Sequence, residues 1–235
     1  MIKIRLISAL LLGASFLACG GGSGVGPEKI RKQEDKLRDR LPIDWVNHNS
    51  GDYQGAIDSF VKTLELADSF GGSESILNYI KSEAHNGIGW AFLRLQDLDA
   101  ASSSFQQATK LNRRNQDAWV GYAGVALARG RYNDVVQYGI QALSVNSDYN
   151  SANRIDDSNR QIGHDGFETR HVRLLLAEAY FQLGRYSAVD RPDPSNAAAQ
   201  MRLATGEFTF RDPGQLLQEI SKLALELVIE NNSGF

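Results

Sequence analysis

Cysteine and histidine are scarce in this sequence. Of its 235 residues only Cys19 is a cysteine, and four are histidines. A single cysteine cannot form a disulfide within the chain. No two histidines stand four residues apart on one predicted helix, the spacing that brings two imidazoles to one metal ion. We therefore expect no metal site and no cofactor.

Motifs of common enzyme sites are missing as well. The sequence has neither the Gly-x-Ser-x-Gly turn of serine hydrolases nor the His-Glu-x-x-His helix of zinc proteases. The glycine-rich segment 20–26 leads to no Gly-Lys-Ser/Thr, so it does not form a phosphate-binding loop. The polar segment 156–165 lacks the spacing of a calcium loop. We predict that the protein is not an enzyme, because an active site here would have to converge without any recognisable spacing.

The chain also lacks an excess of positive charge and a membrane-spanning apolar run. Lys and Arg number 25 against 28 Asp and Glu, which argues against nucleic acid as a partner. The apolar run Leu6–Ala18 is shorter than the roughly 20 residues that a helix needs to cross a bilayer. It follows Lys3 and Arg5 and precedes Cys19, an order typical of an export signal.

The segment Ser15-Phe-Leu-Ala-Cys19 resembles the lipobox of bacterial lipoproteins, although Phe16 stands where leucine is usual. The resemblance implies that residues 1–18 are a signal peptide and that Cys19 is then acylated, with palmitate for example. Two acyl chains would anchor the protein stably in the cell envelope. Gly20 favours the outer membrane, with the protein facing the periplasm or the cell surface. A plain secretory signal with an incidental cysteine is the alternative.

A repeat of 34 residues organises the middle of the chain. Shifting the sequence by 34 residues superimposes apolar and small residues on one another. The residues Ile88, Gly89, Phe92, Leu98, Ala101, Phe105, Ala108 and Leu111 fall on Tyr122, Ala123, Ala126, Tyr132, Val135, Gly139, Ala142 and Val145. Shifts of 45 and 54 residues add one copy before these two and one copy after them. Four copies emerge.

The third copy carries the residues that resemble the tetratricopeptide repeat family. These are Ala118-Trp119, Tyr122-Ala123, Gly130-Arg-Tyr132 and Ala142-Leu143, which supply the aromatic residue, the small packing residue and the turn of that family. The resemblance implies an all-α fold, a helix-turn-helix solenoid in which each copy packs against the next. The spacing of apolar residues by three and four predicts helices independently. Glycines mark the predicted end of the first helix at Gly51, Gly130 and Gly184.

The segments around the repeats complete the predicted organisation. Gly71-Gly-Ser73 indicates a helix stop and a new N-cap, so the first helix of copy two begins near Glu74. Asp212-Pro213 predicts the start of a C-terminal helix, whose apolar stripe would cap the stack. The chain then divides into a signal peptide (1–18), a glycine-rich tether (19–27), a charged linker or helix (28–42), about four repeats (43–190), and an irregular segment with the capping helix (191–235).

In the tetratricopeptide family the first helices line a concave face. Carried over to this sequence, the pattern places the following residues on that face: Trp45, His48, Asn49, Glu83, Asn86, Trp90, Arg94, Asp117, Val120, Leu127, His171, Leu174, Glu178, Phe181 and Gln182. We predict that a partner protein contacts seven of them: Trp45, Asn86, Trp90, Arg94, Asp117, Glu178 and Phe181. For Trp45 and Trp90, packing between helices is an equal alternative.

The predicted function is that of a membrane-anchored scaffold or assembly factor, which binds other envelope proteins or peptide segments. The alternative is a lipoprotein that binds a small ligand such as a glycan. In that case Trp45 or Trp90 would be a stacking platform, and the insertion near residues 146–169 would be a lid over a closed pocket.

Overall fold

The computed structural model describes residues 26–156, 159–164, 166–187, 194–206 and 208–232, with side chains as far as residue 228. Within these ranges the chain forms the α-helices α1 (Pro27–Arg38), α2 (Arg40–Asn49), α3 (Tyr53–Ser69), α4 (Glu74–Arg94), α5 (Leu98–Leu111), α6 (Gln116–Ala128), α7 (Tyr132–Val145), α8 (Thr169–Gln182), α9 (Ala197–Thr205) and α10 (Pro213–Asn232). A short 3-10 turn, Ser151–Asn153, lies between α7 and α8. The predicted all-α fold class is confirmed.

The helices pack in sequential pairs. Helices α2 and α3, α4 and α5, α6 and α7, and α8 and α9 contact each other as antiparallel partners, and each pair packs on the next. This is the predicted solenoid of helix pairs. The charged segment from residue 28 onward lies in α1 and the start of α2, and α4 begins at Glu74. Residues 1–25 and 191–193, on which the predicted signal peptide, Cys19 and most of the proline interruption fall, lie outside the described residues.

Local capping explains where the helices begin and end. The side chains of Asp52, Asp97 and Asn115 accept a hydrogen bond from a backbone N–H in the first turn of α3, α5 and α6. The predicted glycines end the first helices with a positive φ, which is +84° at Gly51, +68° at Gly130 and +72° at Gly184. In copy two the same turn is made by Gln96, with a φ of +63°.

The junctions between copies depend on close approach of an aromatic ring to a glycine. Phe60 of α3 packs on Gly87 of α4, and Phe105 of α5 packs on Gly121 of α6, so tightly that a Cβ on either glycine would overlap the ring. The third junction reverses this arrangement. There a Cβ on Gly139 of α7 would lie 2.8 Å from Cδ2 of Leu176, so the large side chain comes from the later copy.

Helix α10 covers the last helix pair, as a capping helix does. Its buried residues Leu216, Ile220, Leu223 and Leu227 join a core with residues of α8 and α9. Leu217 and Val228, which the sequence places in the same apolar stripe, are 43% and 55% exposed. The buried stripe is therefore narrower than predicted. Among the described residues, no helix is long and apolar enough to cross a membrane.

Candidate functional site

The insertion lies between α7 and α8, and the structure describes its residues 146–156, 159–164 and 166–168. At its base the backbone N–H of Ser151 donates to the carbonyl of Phe167 at 2.7 Å, and a β-bridge joins Asn150 to Glu168. Nearer its tip a second bridge joins Ile155 to Gln161. These backbone bonds join the two ends of the insertion, and several of its side chains reach the concave face.

Asp117, in the first turn of α6, is the centre of the contact between the insertion and the concave face. Its carboxylate accepts hydrogen bonds from two residues of α4, Asn86 Nδ2 at 2.7 Å and Trp90 Nε1 at 3.1 Å. From the insertion, Arg154 Nη1 lies at 2.8 Å and His164 Nε2 at 3.2 Å. The hydroxyl of Tyr149 also donates to it. Asp117 is thus fully enclosed by copies two and three and the insertion.

A second carboxylate completes the buried cluster. Arg154 Nη2 lies 2.5 Å from Glu83 Oε2, and Asn115 Nδ2 donates to the other oxygen of Glu83 at 3.2 Å. The guanidinium therefore bridges the two acidic side chains. A planar cation with several donors suits this role, because it can satisfy both carboxylates at once.

The electrostatics of the cluster favour the ionised form of Asp117. Burial opposes its ionisation, but the interactions with His164 and Arg154 outweigh burial and hold the pKa of Asp117 well below its usual range. For Glu83 burial dominates and raises the pKa, although Arg154 opposes the shift. Burial and the adjacent Asp117 also raise the pKa of Tyr149, which remains a neutral donor.

Four of the seven predicted partner contacts lie beneath the insertion. Trp45, Asn86, Trp90 and Asp117 are at most 2% exposed. Asn86, Trp90 and Asp117 do come together on the concave face, as the repeat pattern predicts, but the chain itself covers them. In this structure both tryptophans pack inside, and a partner contact by any of these four residues would require the insertion to move; such a contact stays a prediction.

The predicted stacking platform is likewise covered. The ring centroid of Trp90 lies 3.9 Å from that of His164 and 5.1 Å from that of Phe167. Trp45 packs edge to face on Phe60 and His48. The insertion lies over the tryptophans as a lid would, but it fills the space that a sugar ring would need.

Beside the insertion lies a cavity of about 550 Å³, which we call the α10 cavity. It is lined by His48, Asn49, Tyr53, Arg94, Leu127, His164, Gly166, Phe167, His171, Leu174, Leu175, Glu178, Ala224, Leu227 and Val228. Two of the predicted partner contacts, Arg94 and Glu178, are among these residues. Phe181 is half-buried near Tyr186, with ring centroids 5.0 Å apart. A partner contact by Arg94, Glu178 or Phe181 stays a prediction.

A groove on another side of α6, which we call the aromatic groove, was missed by the sequence analysis. Tyr122 and Tyr138 stack with centroids 4.1 Å apart, and Trp119 lies 5.7 Å from Tyr138. The other residues that line this groove of about 640 Å³ are Gln106, Gln107, Thr109, Lys110, Arg113 and Gln141. Burial and the Tyr122 hydroxyl raise the pKa of Tyr138 to about 12, so it is an uncharged phenol. The spacing of Trp119 and Tyr122 by three residues was the available signal.

The described part of the chain has two buried carboxylates on its concave face, Glu83 and Asp117. No group of three or more His, Cys, Asp or Glu side chains is placed there to hold a metal ion. The buried carboxylates Glu83 and Asp117 are both engaged by Arg154. Arg154 thereby occupies the acceptors that a substrate proton or a cation would use.

The comparisons with known proteins agree with the repeat. The tetratricopeptide repeat family model matches residues 82–115, which span most of α4, all of α5 and the turn that follows. No curated protein matches the sequence significantly. Among solved structures, the crystal structure of MamA protein matches 82% of this chain and 92% of its own, at 14% sequence identity and a TM-score of 0.35. The family match therefore identifies one tetratricopeptide repeat in this chain, at residues 82–115.

Proposed function

We propose that the protein is a lipid-anchored scaffold of the bacterial cell envelope and that it binds a partner protein through the aromatic groove. The tetratricopeptide repeat is a protein-interaction fold, and the family model matches one at residues 82–115. The observation that carries the proposal is the set of contacting rings of Trp119, Tyr122 and Tyr138 in a groove that the insertion leaves open. Tryptophan, tyrosine and arginine are the residues in which interface energy is most often concentrated.

The aromatic groove is a better docking surface than the middle of the concave face. Asp117 contacts the insertion, whereas Trp119 stands two residues later, about 200° around the helix. A partner on the concave face would first have to displace Arg154 from two buried carboxylates, which would then lack a counter-charge. A partner in the aromatic groove would break no such ion pair, since none of the residues that line the groove is acidic.

The charges of the aromatic groove indicate the chemistry of the partner. Lys110 and Arg113 are exposed at its edge, and no acidic side chain is among the residues that line it. Gln106, Gln107 and Gln141 add neutral donors and acceptors. We therefore propose a partner segment with an aromatic or aliphatic side chain next to acidic residues, because opposite charge speeds association and fixes orientation.

The anchoring part of the proposal is supported by the order of cationic residues, apolar run, Cys19 and glycine tether in the sequence. Its test is the substitution Cys19→Ser, followed by fractionation and mass spectrometry of the mature protein. We expect a protein that is unprocessed or released from the membrane fraction. A Cys19→Ser protein that is processed and pelleted like the wild type would contradict lipid anchoring.

The docking part is tested by photo-crosslinking in cells from a photoreactive residue at position 119, followed by affinity measurement with the purified partner. Reversal of both edge charges, Lys110→Glu with Arg113→Glu, should raise the Kd at least tenfold. The matched control reverses two exposed charges elsewhere, Arg202→Glu with Lys222→Glu, and should change the Kd less than twofold. If Arg94→Ala weakens binding and the groove variant does not, the partner lies on the concave side instead.

A further inference from the structure

The α10 cavity has the composition of a small-ligand site. Its walls come from α2, α3, α4, α6, α8, α10 and the insertion, and much of the lining is aliphatic: Leu127, Leu174, Leu175, Ala224, Leu227 and Val228. A volume of about 550 Å³ lies within the range of pockets that enclose small molecules. Such pockets combine a mostly apolar wall with a few polar groups that orient the ligand. His48 is the group of interest here.

His48 is buried, lines the cavity and has one ring nitrogen without a partner. The residue is 4% exposed, and its Nε2 atom makes no hydrogen bond. The rings of Trp45 and Tyr53 pack against it edge to face, with centroids 5.1 and 5.3 Å away. A buried polar atom left without a partner costs free energy, so a ligand that supplies the partner gains affinity from it.

The hydrogen bonds of Asn49 determine whether Nε2 of His48 is a donor or an acceptor. Asn49 Nδ2 donates to the carbonyl of Gly163 at 3.1 Å, so its Oδ1 is the atom that faces His48 Nδ1 at 3.3 Å. An amide oxygen only accepts, and therefore Nδ1 carries the hydrogen. Burial lowers the pKa of His48 to about 4, and the ring is neutral near pH 7. Nε2 then presents a lone pair, and a ligand has to donate a hydrogen to it.

The charged residues of the cavity restrict the ligand further. Arg94 is exposed on the solvent side of the cavity, and Glu178 is half-buried, with a pKa that burial raises. The two side chains carry opposite charges and form no ion pair with each other. One basic and one acidic group give no net preference for an anion or a cation, which favours an uncharged polar group. The covered faces of Trp45 and Trp90 exclude the stacking that a glycan would use.

We infer that the α10 cavity binds an aliphatic molecule with one uncharged hydrogen-bond donor, a hydroxyl or an amide N–H, which donates to Nε2 of His48. The aliphatic body lies against Leu127, Leu174 and Leu227. This site is separate from the aromatic groove and does not depend on the docking proposed there.

The test uses two probes that differ only in the donor, 1-decanol and its methyl ether, titrated by calorimetry into the folded protein. The alcohol should bind about tenfold more tightly, because the ether leaves Nε2 without a partner. His48→Phe keeps a flat ring and removes the acceptor, so the ratio of the two dissociation constants should fall to about one. Failure of 1-decanol to bind the wild type, or equal affinity for both probes, would overturn the inference.

A matched pair of variants on α10 locates the bound probe. Ala224→Trp fills the cavity and should abolish binding of both probes, whereas Leu217→Trp, on an exposed position outside the lining, should leave both affinities unchanged. Binding that survives Ala224→Trp would place the probes elsewhere and overturn the assignment. If His48→Phe does not fold, as judged by circular dichroism, the wild-type ratio and the α10 pair decide the question.

Two further arms separate this site from protein docking. Reversing Lys110 and Arg113 should leave decanol affinity unchanged even if it abolishes partner binding. N-acetyl-leucine methylamide offers the same aliphatic and donor chemistry as part of a peptide. If it binds more tightly than decanol, the occupant is a peptide segment and the small-molecule inference is wrong.

Discussion

Helix α6 has one side that the insertion covers and one side that is open, and the residues that mark these sides, Asp117 and Trp119, are only two positions apart in sequence. Asp117 is enclosed by Asn86, Trp90 and three side chains of the insertion. Trp119 stands in an open groove, where its indole N–H donates to the carbonyl of Arg113 at 3.0 Å and its ring faces solvent in part. The repeat pattern gives both positions to the same helix. What separates them is an insertion between copies three and four, which covers one side and leaves the other free for a partner.

On the covered side of α6, ion pairs of Arg154 join the insertion to the helices, whereas on the open side the aromatic rings contact one another by packing alone. A buried ion pair gains little over an apolar contact of the same size, but removing one partner is costly because the other charge is left in the interior. The cluster around Arg154 therefore specifies where the insertion lies more than it stabilises the fold. The stacked rings of the open side need no such counterpart.

The largest effect is expected from removing the charge that joins the insertion to the stack. Arg154→Met keeps most of the side-chain volume and strands Glu83 and Asp117, so the free energy of unfolding should fall by about 3–5 kcal/mol. Chemical denaturation with circular dichroism measures this loss. The control is Arg160→Met in the same insertion, whose partners Asp39 and Asp156 are nearer to solvent. An Arg154→Met protein as stable as that control would mean that the insertion is not fixed by charge.

The core between the two sides is tested at Gly121, which Phe105 contacts. A methyl group there overlaps the buried ring, so Gly121→Ala should destabilise by about 1–3 kcal/mol. Gly124, three residues later on α6, is the control, since its Cβ would meet only Leu93 Cδ2 at 4.0 Å. Alanine at this position should be neutral or stabilising by about 0.5–1 kcal/mol, because it favours the helix. Equal melting temperatures for the two variants would contradict the packing at this junction.

Acid should weaken the covered side first. Burial, followed by the electrostatic interaction with His164, lowers the pKa of His48 from 6.5 to about 4. Its contribution to stability is complete above pH 6.5 and is lost as the pH falls toward 4, about 1–2 kcal/mol by pH 5. Asp117, with its lowered pKa, stabilises the fold fully above about pH 4, and this contribution is lost only as the pH falls below that value. The raised pKa of Glu83 has the opposite effect, because protonation of this buried carboxylate as the pH falls favours the folded state.

The measurement that isolates His48 is the difference in unfolding free energy between pH 7 and pH 5, for the wild type and for His48→Phe. The variant should lose less stability than the wild type over this interval. An identical loss in both proteins would show that another group, such as His85, whose pKa burial also lowers, carries the acid sensitivity.

The smallest effect on stability is expected on the open side. Reversal of Lys110 and Arg113 changes exposed charges that make no contact across the core, and the free energy of unfolding should move by less than about 1 kcal/mol. Thermal melts decide this point. If the reversal destabilises as strongly as Arg154→Met, the two sides of α6 do not differ in the way described here, and loss of partner binding by this variant could not be assigned to docking.

The sequence predicts the helix pairs well because their signals are local. Apolar spacing, the caps at Asp52 and Asp97, and glycine at the turns all act within a few residues of where they stand. A helical pattern also places Asn86, Trp90 and Asp117 on one face. The pattern cannot say that another segment covers that face.

The insertion was beyond prediction for the same reason. Arg154 meets Glu83, which is 71 residues earlier, and no periodicity in the sequence encodes that pairing. The open character of the aromatic groove depends on which side the insertion takes. Trp119 therefore looked like one more packing residue of the repeat.

The hydrogen bond from Asn49 Nδ2 to the carbonyl of Gly163 joins residues 114 positions apart, and the ion pair of Arg160 with Asp39 joins residues 121 apart. A repeat array normally has contacts between neighbours only, so its units can unfold one after another from either end. Here the segment before copy four is bound to copy one and to the helix before it. Copy one therefore cannot unfold without breaking its contacts with the insertion that precedes copy four. We expect unfolding in one cooperative transition for this reason. Folding has to close these long loops, which makes it slower than in a solenoid of the same length with neighbour contacts alone.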